Sequence, residues 1–104
     1  MYRKWDIIWV NMPFREDSNQ TKMRPCLIID IDYETEEYII IGITTSSPMR
    51  DTDYVVKYYK QANLKANNVI MTDYIVKVSI SGKYGYVGHL DKSDKISIMR
   101  IMSE

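Results

Sequence analysis

The residues of this chain best suited to chemistry fall in two short runs, Lys22-Met23-Arg24-Pro25 and Ile43-Thr44-Thr45-Ser46. Each borders an apolar, β-prone stretch: Cys26-Leu27-Ile28-Ile29 follows the first run, and Tyr38-Ile39-Ile40-Ile41-Gly42 precedes the second. If those stretches pair as an antiparallel hairpin turning at Tyr33 to Glu36, the start of one strand lies beside the end of the other. Arg24 and Thr44 then converge at one edge. An arginine fork beside a hydroxyl suits a phosphate and its developing charge, because the guanidinium donates in a planar, bidentate geometry and stays protonated at every relevant pH. Arginine before a strand and threonine after one are also ordinary structural choices, so the pattern alone leaves both roles open.

Other chemistries find little support. His89 is the single histidine, which removes a two-histidine acid and base pair and a zinc site of His and Cys ligands at motif spacing. It stands between Gly88 and Leu90 at a strand end, where a structural role is expected. Cys26, also single, sits among Leu and Ile, where burial raises a thiol's pKa and quiets it. None of the four glycines falls in a phosphate-loop or dinucleotide pattern. Asp30, Asp32, Glu34, Glu36 and Glu37 crowd one turn, and such clusters are mostly solvated surface. Neither a metal nor a cofactor is expected.

The elements that must position Arg24 and Thr44 read mainly as strands. Asp6 to Met12 forms the first, ended by Pro13, and Pro13 to Met23 reads as a polar loop. Arg24 to Asp32 begins apolar on both faces, as a central strand does. Glu37 to Ile43 is the third strand, Thr44 to Pro48 a hydroxyl-rich loop, and Tyr54 to Lys57 a short fourth strand. Asn68 to Val78 reads as one long bent strand, the kind of bend that closes a small sheet. Tyr84 to Leu90 carries Gly85 and Gly88, which suit close backbone approach. Period then changes: Asp91 or Ser93 caps a helix in which Ile96, Ile98, Met99, Ile101 and Met102 recur at roughly helical spacing.

At 104 residues the chain fits one domain spanning 1–104, and its 45% hydrophobic and 27% charged residues are ordinary for a globular protein. Nine tyrosines and abundant Ile and Val favour a pleated, half-buried surface. Fourteen basic residues balance fourteen acidic ones, so there is no broad positive field and any nucleic-acid contact must be local. The N-terminus lacks a secretory pattern and no run approaches the roughly 18 apolar residues of a membrane span. A cytoplasmic address away from membranes is expected.

Taken in order, Asp6-Ile7-Ile8-Trp9-Val10, Lys22-Met23-Arg24-Pro25-Cys26-Leu27-Ile28-Ile29 and Gly42-Ile43-Thr44-Thr45-Ser46 resemble the signatures of the PemK/MazF toxin family. Asn68-Val69-Ile70-Met71-Thr72-Asp73 and Tyr86-Val87-Gly88-His89-Leu90-Asp91 resemble that family's later strands and its entry to the final helix. The resemblance implies an SH3-like barrel of five to seven mostly antiparallel strands with a C-terminal helix. It further implies a homodimer that cuts single-stranded RNA without metal and is silenced by a small acidic antitoxin whose tail occupies the RNA site. In the implied reaction the ribose 2′-hydroxyl attacks the adjacent phosphorus, leaving a cyclic phosphate and a free 5′-hydroxyl. By position, Arg24 matches the family's catalytic arginine and Thr44 the hydroxyl residue that helps hold the scissile phosphate. Lys22, Thr45, Ser46 and Asp73 form the implied RNA-contacting set. Two departures stand out. Where some members carry an arginine two residues before the acidic position, this chain has Met71, and the loop before Arg24 mixes Arg15 and Lys22 with Glu16 and Asp17. A catalytically silent barrel that binds protein or RNA is the alternative from a different class.

Overall fold

Strand β1 (Asp6–Pro13) buries Ile8, Val10 and Met12 while leaving Trp9 and Asn11 exposed, an alternation that fits one covered face along its second half. In the computed structural model, which describes residues 1–103, it is followed by β2 (Thr21–Asp32), β3 (Glu37–Thr44), β4 (Asp53–Val55), β5 (Val69–Ser79), β6 (Gly85–His89) and helix α1 (Lys92–Met102). β2 begins three residues before Arg24, because Lys22 and Met23 continue the antiparallel ladder with Met12 and Asn11. The polar loop expected from Pro13 to Met23 therefore shrinks to 14–20, with Pro13 and Thr21 paired at its base. The fourth strand lies slightly earlier than expected, at Asp53–Val55. β5 is a single long strand, as its two apolar runs suggest.

All strands join one antiparallel sheet in the order β4-β5-β3-β2-β1-β6. The sheet curls without closing into the expected barrel: β4 and β6 form its two edges and do not pair among the described residues. Bulges between Ile7 and Ile8, between Ile28 and Asp30, and between Ile41 and Ile43 supply the curl. An edge strand of three residues, β4, offers too short a ladder to complete a ring.

β3 is the centre of the molecule and is buried on both faces. On one side Ile41 and Ile43 pack with Ile7, Leu27, Ile70, Val87, Leu90 and Ile98 of α1. On the other, Ile40 packs with Ile8, Val10, Met12, Cys26, Ile28 and Tyr38, and a set of half-buried tyrosines including Tyr2, Tyr74 and Tyr84 covers them. Cys26 lies in this second cluster, and desolvation raises its thiol pKa to about 12. The cysteine is a core residue, as its neighbours in sequence suggest.

Asp91 caps α1, its side chain accepting the Ser93 N–H at 2.9 Å. Of the apolar residues at helical spacing only Ile98 is fully buried, while Ile96, Met99 and Met102 remain exposed. The helix is held largely by a polar anchor: buried Asp94 accepts hydrogen bonds from Tyr54 Oη and from the backbone N–H groups of Lys57 and Tyr58. Burial first, and then this bond, push the Tyr54 phenol up to about 12. No helix among the described residues is long and apolar enough to cross a membrane.

Candidate functional site

The hairpin of β2 and β3 forms with Cys26 opposite Gly42 and Leu27 opposite Ile41. The β2–β3 pairing ends at Cys26 and Gly42, and Arg24 and Thr44, each two residues beyond it, border the same clefts. On its other side Arg24 pairs with Val10 of β1, and Thr44 pairs with Val69 of β5. Four neighbouring strands thus fix the two residues at one end of the sheet.

Lys22, Arg24, Thr44 and Thr45 form a ridge between two clefts. The larger, about 320 Å³, is walled by Trp9, Met23, Pro25, Asn63, Leu64 and Val87. The smaller, about 210 Å³, is bordered by Phe14, Arg15, Glu16, Ser46, Met49 and Met71. Arg24 sends its side chain towards the smaller one. Its guanidinium carbon lies 5.3 Å from the centre of the Phe14 ring, within cation–π range. Its Cδ passes over Gly42, where a side-chain carbon would stand 3.6 Å from it and 2.8 Å from the Met71 methyl. Met71 is aimed here by the irregularity in β5 opposite Gly42, where the register with β3 shifts by several residues.

The Arg24 guanidinium makes no ion pair and no hydrogen bond with any described residue, and its Nε is buried without a partner. Nearby arginines are in the opposite condition. Arg15 holds both oxygens of Asp53 in a fork, at 2.7 and 2.8 Å, and also reaches Asp73 at 2.8 Å. Arg50 bonds Asp73 at 2.7 Å and Glu16 at 3.0 Å. Asp53 further accepts the backbone N–H groups of Met49 and Arg50. Arg15 and these amides hold its carboxyl down at about 2, against the upward push of burial. The Arg15 guanidinium is held above its already high range by the hydrogen bond to Asp53. This five-residue network ties the 14–20 loop to the segment between β3 and β4 and to the bend of β5. Tyr74 adds a further tie, its hydroxyl donating to the Pro13 carbonyl at 2.8 Å.

Thr44 Oγ1 accepts the Ser46 N–H at 3.2 Å, which folds the chain back after β3 and leaves the hydroxyl hydrogen free for an incoming anion. Arg24, Thr44, Lys22, Thr45 and Ser46 therefore gather around the two clefts. Asp73 does not join them; it borders neither cleft and is occupied by Arg15 and Arg50. Desolvation opposes its ionisation, but the bonds from Arg50 and Arg15 prevail and hold its carboxyl below the usual range. Phe14, Arg15, Arg50 and Asp53 escaped the sequence reading, since their importance depends on contacts between residues 38 positions apart, as for Arg15 and Asp53.

His89 lies outside both clefts. Its Nδ1 is 2.7 Å from Asp6 Oδ1 and its Nε2 is 2.8 Å from Lys95 Nζ, so it links β1, β6 and α1. Among the described residues no group of three or more His, Cys, Asp or Glu side chains is arranged to hold a metal ion.

Residues 3–102 match the family model described as the PemK-like, MazF-like toxin of type II toxin–antitoxin systems. The chain belongs to the PemK/MazF family of type II toxins. No curated protein matches it. Among solved structures it is similar to an endoribonuclease in complex with its cognate antitoxin from a mycobacterial species, at 12% identity and a TM-score of 0.75, over 99% of this chain and 92% of that one. It is also similar to the MazE–MazF structure from Deinococcus radiodurans, at 13% identity and a TM-score of 0.67, over 95% of this chain and 88% of that one. At such identities the likeness concerns the fold, and the family's mainly β architecture with a terminal helix agrees with the sheet and α1 found here. Neither the family match nor these neighbours favour the alternative, a catalytically silent barrel of the same ancestry that binds protein or RNA.

Proposed function

We propose that this PemK/MazF-family toxin is a metal-independent endoribonuclease that cleaves single-stranded RNA at the end of the β2–β3 hairpin. The observation that carries the reading is Arg24, a half-buried arginine with an unpartnered Nε, set beside the free hydroxyl hydrogen of Thr44 while carboxylates occupy Arg15 and Arg50. A buried donor without a partner is costly, and a bound anion relieves that cost. In the proposed reaction the ribose 2′-hydroxyl gives its proton to solvent as its oxygen bonds to phosphorus, the P–O5′ bond breaks, and the departing 5′-oxygen takes up a proton from solvent. Negative charge accumulates on the phosphorane oxygens, where Arg24 supplies charge and two-pronged donation and Thr44 a neutral donor. Lys22, Thr45 and Ser46 border the same ridge and contact the flanking strand.

Two assembly proposals accompany this reading. The structural neighbours are toxin–antitoxin complexes, and a small acidic antitoxin whose tail covers Arg24 fits an unpaired cation at a cleft. Neutralisation that persisted after deletion of that tail would refute it. The toxin is also proposed to be a symmetric homodimer, since Met23, Met49, Met99, Met102, Tyr58 and Tyr86 are exposed and such side chains are enriched at interfaces. Light scattering at micromolar concentration should give twice the mass of one chain, and a clean monomer would remove the dimer.

The deciding experiment is cleavage of single-stranded RNA in EDTA by the wild type, Arg24→Ala and Thr44→Ala, with thermal unfolding measured in parallel. Arg24→Ala should lower cleavage by two to three orders of magnitude, from the loss of about 3 kcal/mol of transition-state stabilisation. Thr44→Ala should cost less, since Thr45 or Ser46 can partly substitute. Undiminished cleavage by a folded Arg24→Ala protein ends the proposal.

A further inference from the structure

The larger cleft lies beyond the ridge from the Arg24 guanidinium, and its wall is an indole. Trp9 is 44% exposed although it sits in the middle of β1, between the fully buried Ile8 and the buried Val10. Gly85, its partner across the ladder, makes room for it: a side-chain carbon at Gly85 would stand 3.1 Å from the indole Cδ1 and 3.8 Å from Trp9 Cβ and Cγ. The ring is thereby held low against β6 while part of its surface faces the cleft.

The facing wall is built with comparable economy of space. A side chain at Gly88 would stand 2.2 Å from the Ala62 carbonyl oxygen, so glycine lets the turn at residues 59–64 press against β6. Asn63 takes a left-handed conformation there, φ 59°, and its Nδ2 donates to the Val87 carbonyl at 2.9 Å. That bond orients the amide and leaves its carbonyl oxygen as an acceptor at the cleft wall. Leu64 and Val87 supply apolar lining, and Lys22 and Lys65 place cations at the same cleft without carboxylate partners among the described residues.

An aromatic face, an oriented amide acceptor and flanking cations in about 320 Å³ suit a planar, hydrogen-bonding ring that carries phosphate at its side. We infer that this cleft is a nucleobase subsite in which an unpaired base next to the scissile phosphate stacks on Trp9 and hydrogen-bonds to Asn63. The inference rests on the ribonuclease reading and adds to it the residues that hold the base beside the cut. A flat indole accepts any base, and every base offers an exocyclic amino or ring N–H donor, so the Asn63 acceptor fixes how the base sits in the cleft and not which base enters.

The test reads binding separately from cleavage. The chain has two tryptophans, and Trp5 lies outside the cleft, so the two indole N–H signals in a nitrogen–proton spectrum report the site and an internal control; Trp9→Phe assigns them. The wild-type protein is titrated with a mixed-sequence single-stranded hexadeoxynucleotide, which lacks the attacking 2′-hydroxyl, with an abasic hexamer of equal charge, and with an acidic peptide containing leucine and phenylalanine. The expected result is a saturable shift of the Trp9 signal with the base-bearing strand only, and a Kd, read for all three proteins by anisotropy of the labelled strand, raised about tenfold in Trp9→Ala but less than threefold in Trp9→Phe. Equal shifts with the abasic strand, no shift with either strand, or a response to the peptide alone would each overturn the subsite. A base-dependent shift in a protein that never cuts RNA would keep the subsite and sink the nuclease reading. Wild-type cutting without such a shift would do the reverse.

Discussion

Carboxylates engage two of the three arginines near this end of the sheet and leave Arg24 to the clefts. What keeps Arg24 in place is apolar: the Phe14 ring on one side and the Met12 and Met71 methyls around Gly42 on the other. Such a seat fixes a guanidinium without consuming its hydrogen bonds, which an anion can then use. Phe14 is accordingly a positioning residue. Phe14→Ala should lower RNA cleavage about five- to tenfold, in line with the roughly 1 kcal/mol of a partly desolvated cation–π contact. Phe14→Tyr should retain most of the rate, and equal loss in both variants would show that the ring's shape, and not its face, matters. Arg24 and Thr44 were legible in the sequence because a hairpin with a short turn brings the start of one strand beside the end of the other. Phe14 was not legible, since it belongs to a loop whose path is set by ion pairs with distant segments.

At the scale of elements, alternating and doubly apolar runs marked β1, β2, β3 and β5, and the change of period marked α1. Gly85 and Gly88 were readable as points of close approach, and each does admit a neighbour, Trp9 in one case and the Ala62 carbonyl in the other. The start of β2 lies three residues before the expected one because Thr21-Lys22-Met23 is exposed and has no run of apolar alternation; backbone pairing with Asn11 to Pro13, of which only Met12 is buried, defines it. The Arg15–Asp53–Asp73–Arg50–Glu16 network then fastens this protruding ladder and its 14–20 loop to β4 and β5. The Asp53 side chain is covered, and the bond from Arg15 holds its carboxyl down at about 2 against the ordinary value of 3.8. A depressed folded pKa gives stability that is present above about pH 4 and is lost as pH falls towards 2, to the extent of about 2 kcal/mol. Acid unfolding followed by circular dichroism should therefore show wild-type stability falling over that window. In Asp53→Asn the decline should be shallower and the neutral-pH stability lower. A wild type and variant that lose the same stability between pH 5 and pH 2 would separate Asp53 from the network.

For the whole molecule, the balance of fourteen basic and fourteen acidic residues was the clearest sign in the sequence that any nucleic-acid contact would be local. The structure narrows the set of cations at this end, because ion pairing engages Arg15 and Arg50 and leaves Lys22, Arg24 and Lys65 around the two clefts. Barrel closure was less legible: the strand count fits a ring, but whether the edges meet depends on how far each bulge turns the sheet and on how long the edge strands are. The charge argument has a quantitative consequence for RNA binding. Affinity for a single strand falls with salt as about 0.7 of a power for each phosphate neutralised, so three cations give a slope of about −2 in log K against log salt. Over a fourfold rise in salt that is a loss of roughly one order of magnitude, small beside that of proteins with broad basic faces. Binding of a non-cleavable deoxy strand, followed by anisotropy between 50 and 200 mM salt to keep the cutting step out of the measurement, should show this shallow slope. A slope nearer −4 would mean that the strand pulls Arg15 and Arg50 away from Asp53 and Asp73, making the network a competitor for RNA and not a fixed support.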